Sequence, residues 1–193
     1  MRIVTITALL GCLGSHANAD MGRYELDASH TAVYFTVDHI GYAKTLGIFT
    51  ELSGGFFYDP DTQELGEVSV TIDAGSVNTF DAARDGHVRN RDFLDVEQHP
   101  EISFVANGGN AETGTSGTVT GNLTILGQTQ PVTLDVVLNK AAPYPFGHRR
   151  EVLGLSLSTE INRSDFGMNY AVENGLVGDT VTIKIETEAM LME

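Results

Sequence analysis

The chain has 193 residues, a length that suits one domain of ordinary size. Hydrophobic residues make up 41% of it, which is enough for a core and more than a disordered chain carries. With 26 Asp and Glu against 11 Lys and Arg the net charge is -15, a sign that repels phosphate backbones and anionic membrane surfaces and disfavours nucleic acid as a partner.

The chain opens on the pattern of a secretory signal. Arg2 supplies a positive start, Ile3 to Leu10 an apolar stretch too short to span a bilayer, and Ala17-Asn18-Ala19 a cleavage site before Asp20. Residues 1–19 are therefore read as a signal peptide and 20–193 as one secreted domain. The single cysteine, Cys12, falls in the signal, so the mature chain has no thiol chemistry and no disulfide. Leu9-Leu10-Gly11-Cys12 also has the form of a lipoprotein box, the competing reading, in which an acylated Cys12 begins the mature chain.

Period-two alternation dominates the rest of the chain. The runs are a short Tyr24–Leu26, then Ala32–Asp38, Ile48–Tyr58, Glu67–Asp73, Glu101–Ala106 and Thr118–Ile125. The run carrying Val132, Leu134, Val136 and Leu138, then Val152–Ile161 and Thr180–Glu188, complete the set. In the last, Val181, Ile183 and Ile185 face inward while Lys184 and Glu186 face out. Eight strands and a short first one predict an all-β chain, an eight-stranded antiparallel barrel. Asp59-Pro60-Asp61 and Gly127-Gln128 read as turns, Ala141–His148 as a loop, and His39–Leu46 as a short helical or irregular stretch loosened by Gly41 and Gly47. From about Thr79 to Leu94 the rhythm turns helical. There Phe80, Ala83, His87, Asn90 and Leu94 share one face, which predicts one short helix, read as a lid near the barrel mouth.

A barrel of this size can be solid or can hold one small ligand. Pattern alone favours a packed core with glycines at bulges, whereas Gly121 and Gly154 on an inward face would leave room for a cavity.

Five blocks, in order, resemble the YceI-like proteins. They are His30–His39 (HTAVYFTVDH), Gly54–Pro60 (GGFFYDP), Asp85–Glu97 (DGHVRNRDFLDVE) with Pro100, Gly121–Gly127 (GNLTILG) with Pro131–Leu134 (PVTL), and Asn162–Met168 (NRSDFGM) followed by Val177–Asp179 (VGD). The resemblance spans essentially the whole mature chain. It implies an extended, lipocalin-like barrel of eight antiparallel strands in the periplasm. It also implies a long apolar tunnel that takes up an isoprenoid chain, and no catalytic machinery. Val88 and Leu94 stand where the family more often has Leu and Phe, which bears on tunnel shape and ligand length.

Candidate site residues come from both readings. Phe35, Tyr42, Phe49, Phe80, Phe93 and Phe104 are candidates for the tunnel wall, as is Tyr34, although aromatics on strands are more often plain core. Phe166 and Met168 are candidates for a mouth or plug. His87 and Asn90 could meet a neutral head such as a quinone ring, and His39, also a ligand-binding candidate, is read as hydrogen-bonding a loop near the barrel mouth. Arg84, Arg89 and Arg91 form the basic cluster of the predicted helix region, favoured as local partners of Asp85, Asp92 and Asp95 over a clamp for a phosphate head. No histidine pair has zinc spacing, and no nucleophile elbow or phosphate loop occurs, so neither a metal nor a cofactor is expected beyond a bound isoprenoid lipid. The expected function is non-enzymatic binding, transport or storage of a polyisoprenoid, isoprenoid quinone or other long-chain lipid, with transient contact to a membrane or membrane protein. The sequence does not fix the oligomeric state. Two alternatives remain open: an enzyme of scattered residues acting on a lipid-like substrate, and a solid-core, stress-related structural module.

Overall fold

A computed structural model describes residues 21–192, with backbone alone at 110–113. The signal segment, its cleavage site and Cys12 lie outside the described residues.

The strands are β1 (Gly22–Leu26), β2 (Ala32–His39), β3 (Ala43–Phe49), β4 (Leu52–Asp59), β5 (Glu64–Asp73), β6 (Val77–Asn78), β7 (Glu101–Ala106), β8 (Asn110–Thr113), β9 (Ser116–Ile125), β10 (Gln128–Pro143), β11 (Glu151–Asn162) and β12 (Val177–Leu191), with one helix, α1 (Ala82–Arg89). They close into an antiparallel barrel of eight strands. β1 and β2 run one after the other along β12, from Tyr24 opposite Leu191 to His39 opposite Val177, and act as a single strand interrupted by the turn Ala28–His30. β3 and β4 likewise form the next strand, paired with β2 and β1. β5, β7, β9, β10, β11 and β12 complete the ring. The 15 residues of β12 reach about 50 Å along the strand, so with an ordinary barrel tilt the wall is about 35–40 Å tall.

The alternating pattern produces this wall directly. Val181, Ile183 and Ile185 point into the barrel, while Lys184 and Glu186 are exposed outside. Leu126 and Gly127, both at positive φ, make the two-residue turn between β9 and β10; a right-twisted hairpin needs that geometry and Gly supplies it without strain. Asp59 forms the turn after β4, its Oδ1 accepting from the Asp61 and Thr62 amides at 2.8 and 3.3 Å.

Several sequence expectations need correction. His39–Leu46 is not irregular. Ile40 and Gly41 turn at positive φ, and β3 pairs with β2 from Ala43 onward. Gly47 does not loosen the chain, because a Cβ there would run into the Phe35 ring. The run Ile48–Tyr58 is broken at Thr50–Glu51, where the Thr50 amide donates to Ser76 Oγ and the Glu51 carbonyl accepts from the Asp73 amide. β10 continues to Pro143, so the loop is shorter than Ala141–His148. The helix spans only Ala82–Arg89. Asp81 caps it by accepting from the Arg84 amide at 2.9 Å, and Phe80 at φ 67° lies outside it.

One end of the barrel, the cap end, carries α1, the His39–Ala43 turn and the chain between β11 and β12. The other, the tail end, carries Gly22, Leu191 and the turns after β4, β7 and β10. At the cap end β3 separates from β5, and segment 74–100 fills the gap. There β6 takes the free edge of β3, with Ile48 opposite Asn78. The core is continuous round the wall and includes Tyr24, Phe56, Val77, Leu94, Leu153 and Phe166.

Candidate functional site

The barrel is hollow. A cavity of about 600 Å³ runs along it, within the size range of small-molecule sites. Inward residues of nearly every wall strand line it, such as Val33, Val70, Leu123, Leu134, Leu157 and Ile185. Pattern alone favoured a solid core, and this is corrected. The glycines are not the reason for the space. A Cβ on Gly121 would meet the Phe104 ring and the Ala106 Cβ, so Gly121 is a notch already filled by Phe104. Gly154 falls between Leu153 and Leu155, which line the cavity, so it faces outward. The space exists because the inward aliphatic side chains do not meet across the barrel.

The charged side chains of the lining are confined to the cap end. The Thr hydroxyls of the wall are engaged: Thr31 and Thr187 share a 2.7 Å hydrogen bond, and Thr159 donates to the Thr133 carbonyl at 2.8 Å. Asp38, His39, Arg84, His87 and Arg163 line the cap end. At the tail end Gln63 donates to the Gly114 carbonyl at 2.7 Å, bridging the turns after β4 and β8.

Most of the expected aromatics meet on the cavity. Phe35 and Phe49 lie with ring centroids 5.6 Å apart. Phe93 lies edge-on to His87 at 5.1 Å and to Tyr170 at 5.2 Å, and His87 and Tyr170 are 5.3 Å apart. Phe104, Phe166, Met168 and His39 also line the cavity, Phe166 being fully buried. Tyr34 falls on the opposite face of β2 from Val33, Phe35 and Val37 and does not line it.

Other candidates are elsewhere. Tyr42 is 89% exposed on the β2–β3 turn and Phe80 is 67% exposed before the helix, so neither touches the cavity. Asn90 is the C-cap of α1, its Oδ1 accepting from the Asp92 amide. The face of α1 turned to the cavity is Arg84, His87 and Val88; of the expected face Phe80, Ala83, His87, Asn90 and Leu94, only His87 and, beyond the helix, Leu94 line the cavity.

The arginines neither pair with the neighbouring aspartates nor form a phosphate clamp. Arg84 donates from Nε to Thr79 Oγ1 at 2.9 Å and from Nη2 to the Thr79 carbonyl at 2.6 Å. Arg89 donates to the carbonyls of Gly75 and Val77, and Arg91 is exposed away from the cavity. Asp85 accepts from both the amide and the hydroxyl of Thr79 at 2.6 Å, and the hydroxyl bond above all holds its carboxyl below the ordinary range. These groups fix segment 75–79 to the helix.

Sequence reasoning passed over Arg163, which is 3% exposed. Its guanidinium donates to the carbonyls of Met168, Tyr170, Val177 and Gly178 at 2.8–2.9 Å and lies 5.7 Å from the Phe93 ring centre. Burial lowers the pKa of its guanidinium, with the Asp179 charge acting against that. Asp179 itself accepts from the amide and hydroxyl of Ser164. No periodicity marks such a residue, since it binds irregular backbone. Tyr170, in the same stretch, was missed for the same reason.

Outside the cavity, Asp27, Ser29 and His30 gather on the turn before β2. Ser29 Oγ and Asp27 Oδ2 both approach His30 Nδ1, at 3.1 and 2.8 Å, whereas a nucleophilic relay needs the serine and the aspartate on opposite ring nitrogens. Glu188 joins them, and Asp27, His30 and Glu188 could each turn one ligand atom to a cation. They are surface groups already engaged with one another.

Comparison with known proteins agrees with this geometry. Residues 24–189 match the YceI-like domain. Protein YceI of Salmonella arizonae is 32% identical over 186 residues, covering 96% of this chain and 94% of that one. BcnA of Burkholderia cenocepacia superposes with a TM-score of 0.76 at 24% identity, over 86% of this chain and 99% of that one. A polyisoprenoid binding domain from Saccharophagus degradans, implicated in plant cell wall breakdown, superposes with a TM-score of 0.65 at 18% identity, over 88% and 98%.

Proposed function

The chain belongs to the YceI-like family, and from that premise we propose that it holds one long apolar lipid, a polyisoprenoid or isoprenoid quinone, in the barrel cavity and carries or stores it in the periplasm without altering it. The observation that carries this reading is the hollow barrel itself: about 600 Å³ lined mostly by aliphatic and aromatic side chains, with a few wall threonines and with its charged side chains gathered at the cap end. Such a shape suits a linear chain with one polar head. At roughly 25 cal/mol per Å² of apolar surface removed from water, several hundred Å² of buried tail supplies tight binding even after the losses in mobility that association imposes. The polyisoprenoid binding of the Saccharophagus domain, which shares this fold, points to the same ligand class.

The head favoured by the cap end is neutral. The two arginines lining that end are committed to protein groups, Arg84 to Thr79 and Arg163 to four carbonyls, while Asp38 and Asp92 add negative charge nearby. A pyrophosphate head would meet no uncommitted guanidinium there, whereas a quinone, phenol or alcohol can bond to His39 or His87. Carriage rather than catalysis fits the cavity: the mid-wall hydroxyls of Thr31, Thr159 and Thr187 are already bonded, and His87 of α1 has an Asp partner, Asp92 Oδ2 at 3.1 Å, but no serine or cysteine nucleophile described beside it.

Solvent extraction of the exported protein followed by mass spectrometry tests the reading. A stoichiometric prenyl lipid is the expected result, and affinity for added prenols should rise with chain length until the cavity is full. A clean extract together with equal affinity for short polar analogues would remove it.

A further inference from the structure

A carrier that hides its cargo must still collect it from where the cargo dissolves. Among the described residues nine large apolar side chains are exposed, and six of them, Ile40, Tyr42, Leu46, Phe80, Tyr170 and Leu176, belong to the cap end. Of the other three, Val105 and Val137 are on the barrel wall and Phe146 is in the tail-end loop. The six are held round one opening. The Ile40 amide donates to the Leu176 carbonyl at 3.1 Å, joining the β2–β3 turn to the stretch before β12. Tyr170 lies on His87 of α1. Phe80 comes just after Asn78, whose partner on β3 is Ile48, and so lies toward Leu46.

We propose that this rim is a docking face for a lipid bilayer, by which the cap end dips into the interfacial region and opens the cavity to the acyl layer. The inference rests on the carriage reading. What favours a bilayer is continuity: Ile40, Tyr170 and Leu176 line the cavity and are at the same time exposed on the rim, so an apolar path leads from the outer surface to the interior. A lipid tail can follow these three side chains past the polar groups of the cap end. The rim also mixes tyrosine with aliphatic side chains, a composition suited to the headgroup boundary. The described chain begins and ends at the opposite end of the barrel, which leaves this face clear of both. Charge sets the kind of bilayer. Lys44, Arg84 and Arg91 are outnumbered near the rim by Asp38, Asp81, Asp92 and Glu173, within a chain of net charge -15. Attachment is therefore apolar, favours zwitterionic lipid, and is weakened by anionic lipid and not by salt.

The chain has no Trp, so single tryptophans report cleanly. Tyr42→Trp at the rim and Phe146→Trp at the tail end are mixed with phosphatidylcholine vesicles, with and without brominated acyl chains. The expected result is a blue-shifted, bromine-quenched emission from Tyr42→Trp alone, reduced when phosphatidylglycerol replaces part of the phosphatidylcholine. The double variant Tyr42→Ser/Leu46→Ser, whose side chains lie outside the cavity, should take up a long-chain polyprenol from vesicles roughly tenfold more slowly or worse. Its uptake from detergent micelles should be unchanged. Equal signals at both ends, no signal at Tyr42→Trp, or unchanged vesicle uptake by the double variant overturns the bilayer face; a rim that instead pairs two copies would show as a concentration-dependent dimer lost in that variant. Failure of the native protein to load polyprenol from micelles would sink carriage and leave the tryptophan result to judge docking alone.

Discussion

The wall from β9 to β12 and the cap made by segments 74–100 and 163–176 are held by different means. Along β11 and β12 the register runs without a shift from Val152 opposite Met190 to Asn162 opposite Thr180, so backbone bonds are distributed over many residues. In the cap a few side chains bind irregular backbone: Arg84 and Arg89 hold 75–79, Asp85 holds Thr79, and Arg163 gathers four carbonyls from 168–178. The wall needs only the right alternation of polar and apolar residues. The cap needs particular residues at particular positions. Two of the five blocks by which the chain resembles its family, Asp85–Glu97 and Asn162–Met168, lie in the cap.

The sharpest way to break this contrast is Arg163→Ala. Four part-buried carbonyls lose their donor at once, and at about 1–3 kcal/mol for a buried group left unsatisfied, relieved in large part by water, the loss should be about 3–5 kcal/mol. Arg163→Lys should recover only part, since an ammonium has three donors and no planar fork. Urea unfolding measures both, and a loss below about 1 kcal/mol for the alanine variant would show that the cap is held by packing instead.

In the wall the decisive comparison is between neighbours. Ile183→Asp puts a carboxylate on the apolar inner face and should cost about 2–4 kcal/mol and empty the cavity of lipid, whereas exposed Lys184→Asp should stay within about 0.5 kcal/mol. Similar losses at both positions, by thermal denaturation and extracted lipid, would put the register in question.

This contrast also explains what was legible in the sequence. Period two revealed the wall strands and which of their residues face in, because inside and outside alternate with the backbone pleat. It did not reveal that strands break at Thr50–Glu51, because that break is set by Ser76 and Asp73, distant in sequence. Nor did it reveal whether the barrel was hollow, since Val and Leu on an inner face look the same packed or lining a space. At the site, Phe35, Phe49, Phe93 and Phe104 were found through their residue type, and Tyr42 and Phe80 were misplaced by it. Both of the latter lie at positions where the chain turns, Phe80 itself at positive φ, and a periodic pattern continued through a turn points the wrong way.

His87 tests where cap ends and site begins. Its ring is about two-fifths exposed, bonds to Asp92 and lies against Phe93 and Tyr170. A half-exposed partner is cheap to remove, so His87→Ala should cost about 1 kcal/mol or less while speeding release of bound polyprenol by removing one side of the opening. A loss of 2 kcal/mol or more, as roughly expected for a fully buried polar partner, with release changed only in proportion, would make His87 a packing residue of a fixed cap and remove the lid role of the helix.

The smallest effect lies outside both regions, at the turn that separates β1 from β2. Hydrogen bonds from Ser29 and then from His30 hold the Asp27 carboxyl at about 2, against an ordinary 3.8, and its bond to Asp27 holds the His30 imidazolium above its ordinary 6.5. A depressed carboxyl stabilises the fold above its unfolded pKa, and the benefit disappears as pH falls from about 4 through about 2. A raised imidazole stabilises the fold below 6.5, and the benefit disappears as pH rises through its folded value. The two together predict a shallow optimum between those limits, small because His30 is half exposed and solvent screens the pair. Asp27→Asn removes the acidic side of that optimum and most of the basic side, so its melting temperature should vary less with pH than that of the native protein. The wall and the cap should contribute nothing to the difference, since Arg163 keeps its charge throughout this range. If Asp27→Asn left the pH profile unchanged in shape, the turn would not be the source of the dependence, and the next carboxyl to test would be Asp85, which Thr79 holds low in the cap.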